Sequence, residues 1–461
     1  MTTLTVDNPF TGDVACTVPV QDDAAISTLL DSAKRAARDW KRVDVDERIA
    51  LCERAVAAME ADKESIAADI TRMMGKPLGQ ARNEVGGMAG RARHMMSIAK
   101  ASLADVPIEP KDGFERRIVK DPLGVVLDLP AWNYPLLTAV NAAIPAILAG
   151  NAVVMRHAPR TPLCADHFAR AFEKAGAPLG LFQPMHTDHA TTERTVGDAR
   201  VDHVVFTGSV YGGHRVQEAA AKRFLHVGLE LGGNDPAYVA PDCDFAQTVE
   251  NLVDGAIYNA GQSCCAVERV YVHESLYDKF VAAVEPLVRA YVLGDPMDPK
   301  TNLGPIAQPH HPAVLEALVF DAKQKGAKVV CGGAQTKVDG KGRFFQATLV
   351  ADVTDEMKLF QTESFGPILA IGKVTSDEEA LQRMNRSELG LTASVWTSDR
   401  ERAARFANDL EFGTVLMNRC DSVDPALPWT GVKNSGRGVS LSALGFDQLT
   451  QPKSIHFRLR F

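Results

Sequence analysis

The sequence has no Cys-x-x-Cys pair and no histidine-rich spacing, although it holds eight cysteines and 12 histidines. A structural zinc site is therefore not expected, and no metal ligands are assigned. It has no excess of positive charge: 50 Lys and Arg face 58 Asp and Glu, a net charge of −8 with a pI near 5.9. Nucleic acid is not an expected partner. It has no unbroken apolar run of membrane-spanning length. The longest, 136–155, is interrupted by Asn141, Pro145, Gly150 and Asn151, so no membrane association is expected. Residues 1–10 carry neither a basic nor an apolar stretch, so no export signal is expected. Scattered cysteines without such a signal point to a reducing cytoplasm. There is no repeat and no low-complexity linker. The phosphate-binding fingerprint G-x-G-x-x-G is missing as well.

What is there is 461 residues, 46% of them hydrophobic, enough for two or three domains with cores. Polar-faced helices are expected over 22–40, 44–74 and 80–100, and a strand over 114–120. From Gly124 the pattern alternates. Strands at 124–129, 152–155 and 203–206 each lead into a helix. A second such set runs from Asp235 to about Asn418. This alternation predicts doubly wound parallel sheets in two domains with a cleft between them. The tail, 453–461, alternates like a strand without a partner, which is a liability at a sheet edge.

The chain is organised around Asn259-Ala260-Gly261-Gln262-Ser263-Cys264-Cys265-Ala266-Val267-Glu268-Arg269. An apolar helical pattern precedes it and a β-rich run follows. Glycine lets the backbone approach closely at such a turn, so a thiol there can be presented to a ligand. Most free cysteines are small buried hydrophobes, and Cys264 alone would be read so. Leu229-Glu230-Leu231-Gly232-Gly233 places a carboxylate in an apolar strand. That is costly without a partner or a task, and burial raises its pKa toward the range of a general base. Val204-Val205-Phe206-Thr207-Gly208-Ser209 ends a strand where a helix opens, a place for phosphate or merely a capping serine. Asn133, in Pro130-Ala131-Trp132-Asn133-Tyr134-Pro135, is either a turn residue or a neutral donor for an oxyanion.

Together these blocks resemble the NAD(P)-dependent aldehyde dehydrogenase superfamily, in the family's order and over essentially the whole chain. The overall length and the Arg156-His157-Ala158-Pro159 run resemble its short, succinate-semialdehyde-type members. The resemblance implies Cys264 as nucleophile, Glu230 (34 residues earlier) as general base, and Asn133 as oxyanion donor. It implies NAD or NADP held by Trp132, Arg156, Ala158, Pro159, Phe206, Gly208, Ser209, Leu231, Gly232, Glu363 and Phe365. Tyr134, Thr138, Asn141, Ser263, Cys265 and Arg419 are its candidates for the aldehyde tunnel. The substrate is then a small polar aldehyde or a semialdehyde, with Arg419 as a partner for an acid group and Asp421 opposed to one. Domains follow: 1–105 with 123–233 for the dinucleotide, 234–432 for catalysis, and 106–122 with 446–461 as an arm building a homodimer or homotetramer.

The sequence departs from the family at several places. Arg156 stands where Lys is usual, Pro159 where an acid is usual, Asn234 where many members have Lys, and Val439-Ser440 where Arg-Glu is usual. Without the acid at 159, and with Arg160 nearby, a 2′-phosphate is not repelled, so use of both nucleotides is expected. Two other chemistries use the same cysteine. A CoA-acylating dehydrogenase generally lacks the Glu230 counterpart, and a cysteine hydrolase needs a histidine partner. A binding protein on a retired enzyme fold need not keep all three residues.

Overall fold

A computed structural model describes residues 2–460. Two sheets carry the molecule. The first has six strands, in the order Gly436–Arg437, His226–Glu230, His203–Thr207, Val125–Leu129, Ala152–Met155 and Phe182–Pro184. All are parallel except the short Gly436–Arg437 edge, which runs antiparallel to Leu229 and Glu230. The second has seven strands centred on Asp235–Val239, Val267–His273 and Ile368–Val374, parallel apart from the Lys328–Cys331 edge.

The central strand Val125–Leu129 is buried at every residue, as expected for a parallel strand covered on both faces. The helix after it, Pro135–Ala149, buries every residue but Leu137 and is apolar all round, so it lies within the core. It packs against the long helix Leu78–Ser102.

Three features differ from the sequence expectation. The single helix expected over 44–74 is two, Val45–Ala61 and Lys63–Met74, because Asp62 leaves helical geometry at φ −91°, ψ 12°. The sequence there holds neither Gly nor Pro, so the break is set by tertiary packing. The N-terminus forms an antiparallel hairpin, Thr3–Asp7 with Val14–Pro19, that no alternation signalled clearly. The tail strand is Thr450–Arg458 and pairs antiparallel with Phe114–Pro122 along its whole length, forming a separate two-stranded ribbon. Arg460 lies beyond that strand, and Met1 and Phe461 lie outside the described residues.

Candidate active site

In the first sheet, Val125–Leu129 and His203–Thr207 are neighbours, yet the chain leaves Val125–Leu129 toward Ala152–Met155 on its other side. Strand order reverses there, and a crevice opens outside the carboxyl ends of such strands. Pro130–Asn133 follows one strand and Thr207-Gly208-Ser209 the other. The crevice is a cleft of about 880 Å³. Trp132, Arg156, Ala158, Pro159, Phe206, Gly208, Ser209, Leu231, Gly232, Glu363 and Phe365 all line it, and so do Asn133, Glu230 and Cys264.

The cysteine arrives there through a strained turn. After the helix Phe245–Ile257, Asn259 (φ 55°), Ala260 (φ 56°) and Gly261 (φ 67°) are successive left-handed residues. Two of them are not glycine, a conformation that persists only where the surroundings enforce it. A Cβ on Gly261 would lie 1.9 Å from the Gly366 carbonyl oxygen, so only glycine fits. The Asn259 amide Nδ2 donates to the Asn133 carbonyl at 3.1 Å and to the Gln262 carbonyl at 3.0 Å. Gln262 accepts from the Ala307 N–H at 2.9 Å. Cys264 is half-buried and faces the cleft, whereas Cys265 is buried. Arg269 ends the motif as a structural residue, donating to the Asn234 and Met384 carbonyls.

Glu230 is 9% exposed at the end of its strand. It accepts from the Thr207 hydroxyl at 3.2 Å and from the Ser440 hydroxyl. Burial raises its pKa, and the bonds from Ser440 and Thr207 restrain the rise. The same carboxylate borders a second, small cavity of about 20 Å³, lined also by Asn141, His203 and Ser440. Asn133 is 3% exposed, and its side-chain amide has no protein acceptor among the described residues.

On the opposite wall, a Cβ on Gly232 would meet Glu363 Oε2 at 2.3 Å, and Glu363 accepts from the Gly233 N–H at 3.1 Å. Burial, then Glu268, pushes the Glu363 carboxyl well up. Glu268, inside the cysteine motif, accepts from the N–H groups of Ser364 and Phe365, at 3.1 and 3.0 Å. Burial raises it to about 7. The Trp132 and Phe365 rings meet edge to face, 5.6 Å between centroids. Ser435 fastens this wall by donating to the Gly232 carbonyl at 2.6 Å.

None of the expected tunnel residues lines the large cleft, and two of them gather around Asp421. Tyr134 lies under Lys76, whose Nζ is 3.9 Å from the ring centroid. The Thr138 hydroxyl donates to the Tyr134 carbonyl at 3.0 Å, so its polarity is spent within its own helix. Ser263 and Cys265 both donate to Asp421 Oδ1, at 2.9 and 3.1 Å. Burial raises the Asp421 carboxyl, and those two bonds restrain it. Cys265 is pushed up too, first by its bond to Cys264 and then by burial. Arg419 is exposed and has no acid partner among the described residues. The guanidinium near the cysteines is instead Arg91, from helix Leu78–Ser102. Its Nη1 donates to the Asn141 amide oxygen at 3.0 Å and to the Leu137 carbonyl at 3.3 Å. Burial lowers its pKa, while Cys265, Glu230 and Cys264 favour its charge. Among the described residues, no carboxylate lies within ion-pairing distance of it. Nothing in the local sequence, Gly90-Arg91-Ala92, distinguished this arginine from those on the helix's outer face.

At the far end of the cleft, Arg156 is held by the Thr187 carbonyl at 3.0 Å, and burial lowers it to about 10. Arg160 lines the cleft but is not free: it is ion-paired with Asp7. Ser209 Oγ accepts from the Gly212 N–H at 3.1 Å, capping the helix Val210–Ala220. His189, Tyr211, Arg215, Gln308 and His311 also line the cleft without any motif to mark them.

The cleft fits a dinucleotide. Its volume lies in the upper range for cofactor sites. A helix opens onto it with N–H groups and positive partial charge. Gly208, Gly212 and Gly232 leave room that a Cβ would close. No helix among the described residues is long and apolar enough to cross a membrane.

Comparison with known proteins gives a consistent result. Residues 1–455 match the aldehyde dehydrogenase family. The succinate-semialdehyde dehydrogenase [NADP(+)] of Deinococcus radiodurans is 36% identical over 448 residues, 97% of this chain and 93% of that protein. The solved structure of lactaldehyde dehydrogenase from Escherichia coli superposes with a TM-score of 0.95 at 30% identity, covering 99% of this chain and 96% of the other. Betaine aldehyde dehydrogenase from Staphylococcus aureus, in complex with NAD+, gives 0.94 at 29% identity, with 99% and 92% covered.

Proposed function

Because this chain belongs to the aldehyde dehydrogenase family and oxidises aldehydes with NAD or NADP, we propose that Cys264, Glu230 and Asn133 do the chemistry. One observation carries this reading: all three face the same cleft, from three different segments. Cys264 sulfur attacks the aldehyde carbon. The oxygen becomes an oxyanion, received by the unengaged Asn133 amide and the Cys264 N–H. A nicotinamide bound in the cleft would supply the hydride acceptor needed to oxidise the Cys264 adduct to a thioester. Glu230 takes a proton from water, the water oxygen adds to the thioester carbon, and the acid leaves as the thiolate returns. Trp132, Phe365 and Glu363 would border the nicotinamide end. Ser209, Gly208 and the N-terminus of helix Val210–Ala220 would receive phosphate, with Arg156, Ala158 and Pro159 at the ribose beyond.

The substrate in this reading is a small semialdehyde. Arg91, a cation without a carboxylate partner near Cys264, supports an anionic tail, since such a charge is costly to leave uncompensated. The Deinococcus relative's name agrees with it. Asp421 limits the tail to an approach from the Arg91 side.

The domain division proposed is 1–105 with 123–233, then 234–432, with 106–122 and 446–461 as the arm. The ribbon of Phe114–Pro122 and Thr450–Arg458 exposes Phe457 and Leu459, which supports a homodimer or homotetramer in a reducing cytoplasm. Light scattering at micromolar concentration tests the assembly.

The deciding experiment follows reduced nicotinamide by rapid mixing with an aldehyde panel, with and without CoA. Cys264→Ala should give no reduction at all. Glu230→Gln should give one equivalent and then stall, with hydroxylamine restoring turnover by cleaving the thioester. Full steady-state turnover by Glu230→Gln, or dependence on CoA, would reinstate the acylating reading.

A further inference from the structure

The N-terminal hairpin reaches the cofactor cleft. Leu4, Thr5 and Val6 line its end beside Arg156 and Arg160. The next residue, Asp7, grips two arginines from opposite sides. Oδ1 accepts from Arg160 Nη1, and the Asp7 carbonyl accepts from Arg160 Nη2 at 2.5 Å. Oδ2 accepts from Arg343 Nη1. Arg343 is fixed independently, donating to the Ile306 and Ala307 carbonyls at 2.8 and 2.6 Å. Arg160 has no such second anchor, and its buried Nε finds no acceptor. One carboxylate thus bridges two guanidiniums that would otherwise repel each other, offsetting one of their two charges.

We propose that Asp7 sets nucleotide preference by occupying the Arg160 guanidinium that a ribose 2′-phosphate would otherwise take, so that the hairpin tilts the cleft toward NAD. This rests on the reading of the cleft as the dinucleotide site. A phosphate monoester carries nearly two negative charges and three acceptor oxygens, the chemistry a guanidinium fork binds best. Asp7 supplies the same chemistry from within the chain. Without it, Arg160 and Arg343 form an uncompensated pair beside Pro159, and the cleft's Glu193 is itself paired with Arg215.

The test measures dissociation constants of NAD+ and NADP+ on the full chain by quenching of tryptophan fluorescence, which needs no turnover. Asp7→Asn keeps the strand and removes the charge. It should tighten NADP+ about 10-fold, the scale of one charge-assisted bond, and leave NAD+ within roughly twofold. Adding Arg160→Gln to Asp7→Asn should erase the gain. Arg160→Gln alone should change NADP+ little, since that guanidinium is already engaged; this arm holds even if Asp7→Asn folds poorly. Arg343→Gln, which loosens the hairpin but leaves the Asp7–Arg160 pair, should not tighten NADP+. The proposal is overturned if both nucleotides move together, if the gain survives loss of Arg160, if Arg343→Gln reproduces it, or if Arg160→Gln alone weakens NADP+ about 10-fold. Wild-type chain that binds neither nucleotide would overturn the cleft assignment itself, and this proposal with it.

Discussion

The Asn259 side chain donates to the Asn133 carbonyl at 3.1 Å, tying the strained turn before the cysteine to the segment that carries the oxyanion donor. The two residues are 126 apart in sequence. The bond fixes the distance between the attacking sulfur and the amide that receives the charge. Asn259→Ala should therefore lower the hydride-transfer burst about fivefold, the equivalent of one bond near 1 kcal/mol. Asn133→Ala should cost about 10²–10³-fold. The double variant should be no worse than Asn133→Ala, because Asn259 acts through it. Multiplicative losses would contradict this coupling.

The Ser440 hydroxyl donates to the Glu230 carboxylate. That bond favours the ionised carboxylate against the burial that raises its pKa. Removing it in Ser440→Ala should raise the Glu230 pKa further, because burial is then less opposed. The acid limb of the kcat profile should move up in pH, with turnover above the limb nearly unchanged. An unshifted limb with uniformly lower turnover would make Ser440 a packing residue only.

Stability should fall as pH rises from about 4.5 through 7. Glu268 is raised to about 7 in the folded chain from 4.5, so the folded state holds its proton more tightly. Its contribution, roughly 3 kcal/mol at 1.36 kcal/mol per unit, is full below pH 4.5 and is lost as pH rises through 7. Glu230, Glu363 and Asp235 are raised too and act with the same sign. His157 and His203 are lowered to about 4 by burial and offset part of this, adding stability as pH climbs toward 6.5 and none beyond. Calorimetry of the ligand-free chain checks this, and a Tm that rises steadily from about pH 4.5 to 7 would contradict it.

Much of this site is written locally. Cys264, Glu230 and Asn133 each stand in a short block whose glycines, prolines and apolar flanks fix the backbone around them. Fold class followed from strand and helix alternation for a similar reason. What could not be read depends on where distant segments meet. Arg91 occupies one position of an amphipathic helix, and only packing against Pro135–Ala149 turns it toward Asn141. Asp7 reads as a polar strand end, and its task appears only when Arg160 and Arg343 converge on it. The hydroxyls of Thr138 and Ser263 are engaged by Tyr134 and Asp421, which only the folded chain reveals.

Cys265 separates motif chemistry from neighbouring structure. It is buried, and its thiol donates to Asp421. Cys265→Ala should retain most of the activity, because we assign the nucleophile to Cys264, while losing about 1 kcal/mol of stability. Iodoacetamide should then modify Cys264 alone at the site, and mass mapping reads the label. Inactive Cys265→Ala that melts like the wild type would reverse the assignment of the two cysteines.

The proposed substrate class turns on Arg91. Its guanidinium donates to Asn141 and Leu137 through Nη1 only, leaving Nε and Nη2 without an acceptor among the described residues. An aldehyde ending in a carboxylate would meet those donors while its carbonyl lies at Cys264. Arg91→Met keeps the apolar stem and removes the charge. A charge-assisted bond of about 1.5–3 kcal/mol predicts that kcat/KM for a four-carbon semialdehyde falls about 10- to 150-fold. Butanal, of equal length and no charge, should be oxidised as before or slightly faster. Arg91→Lys should keep part of the preference, as a point charge without the fork. Asp421→Asn should improve the semialdehyde by removing a like charge from the wall that Ser263 and Cys265 share. An equal loss for both aldehydes in Arg91→Met would place the arginine in the support of Asn141 and Glu230 instead, and the carboxylate would need another partner.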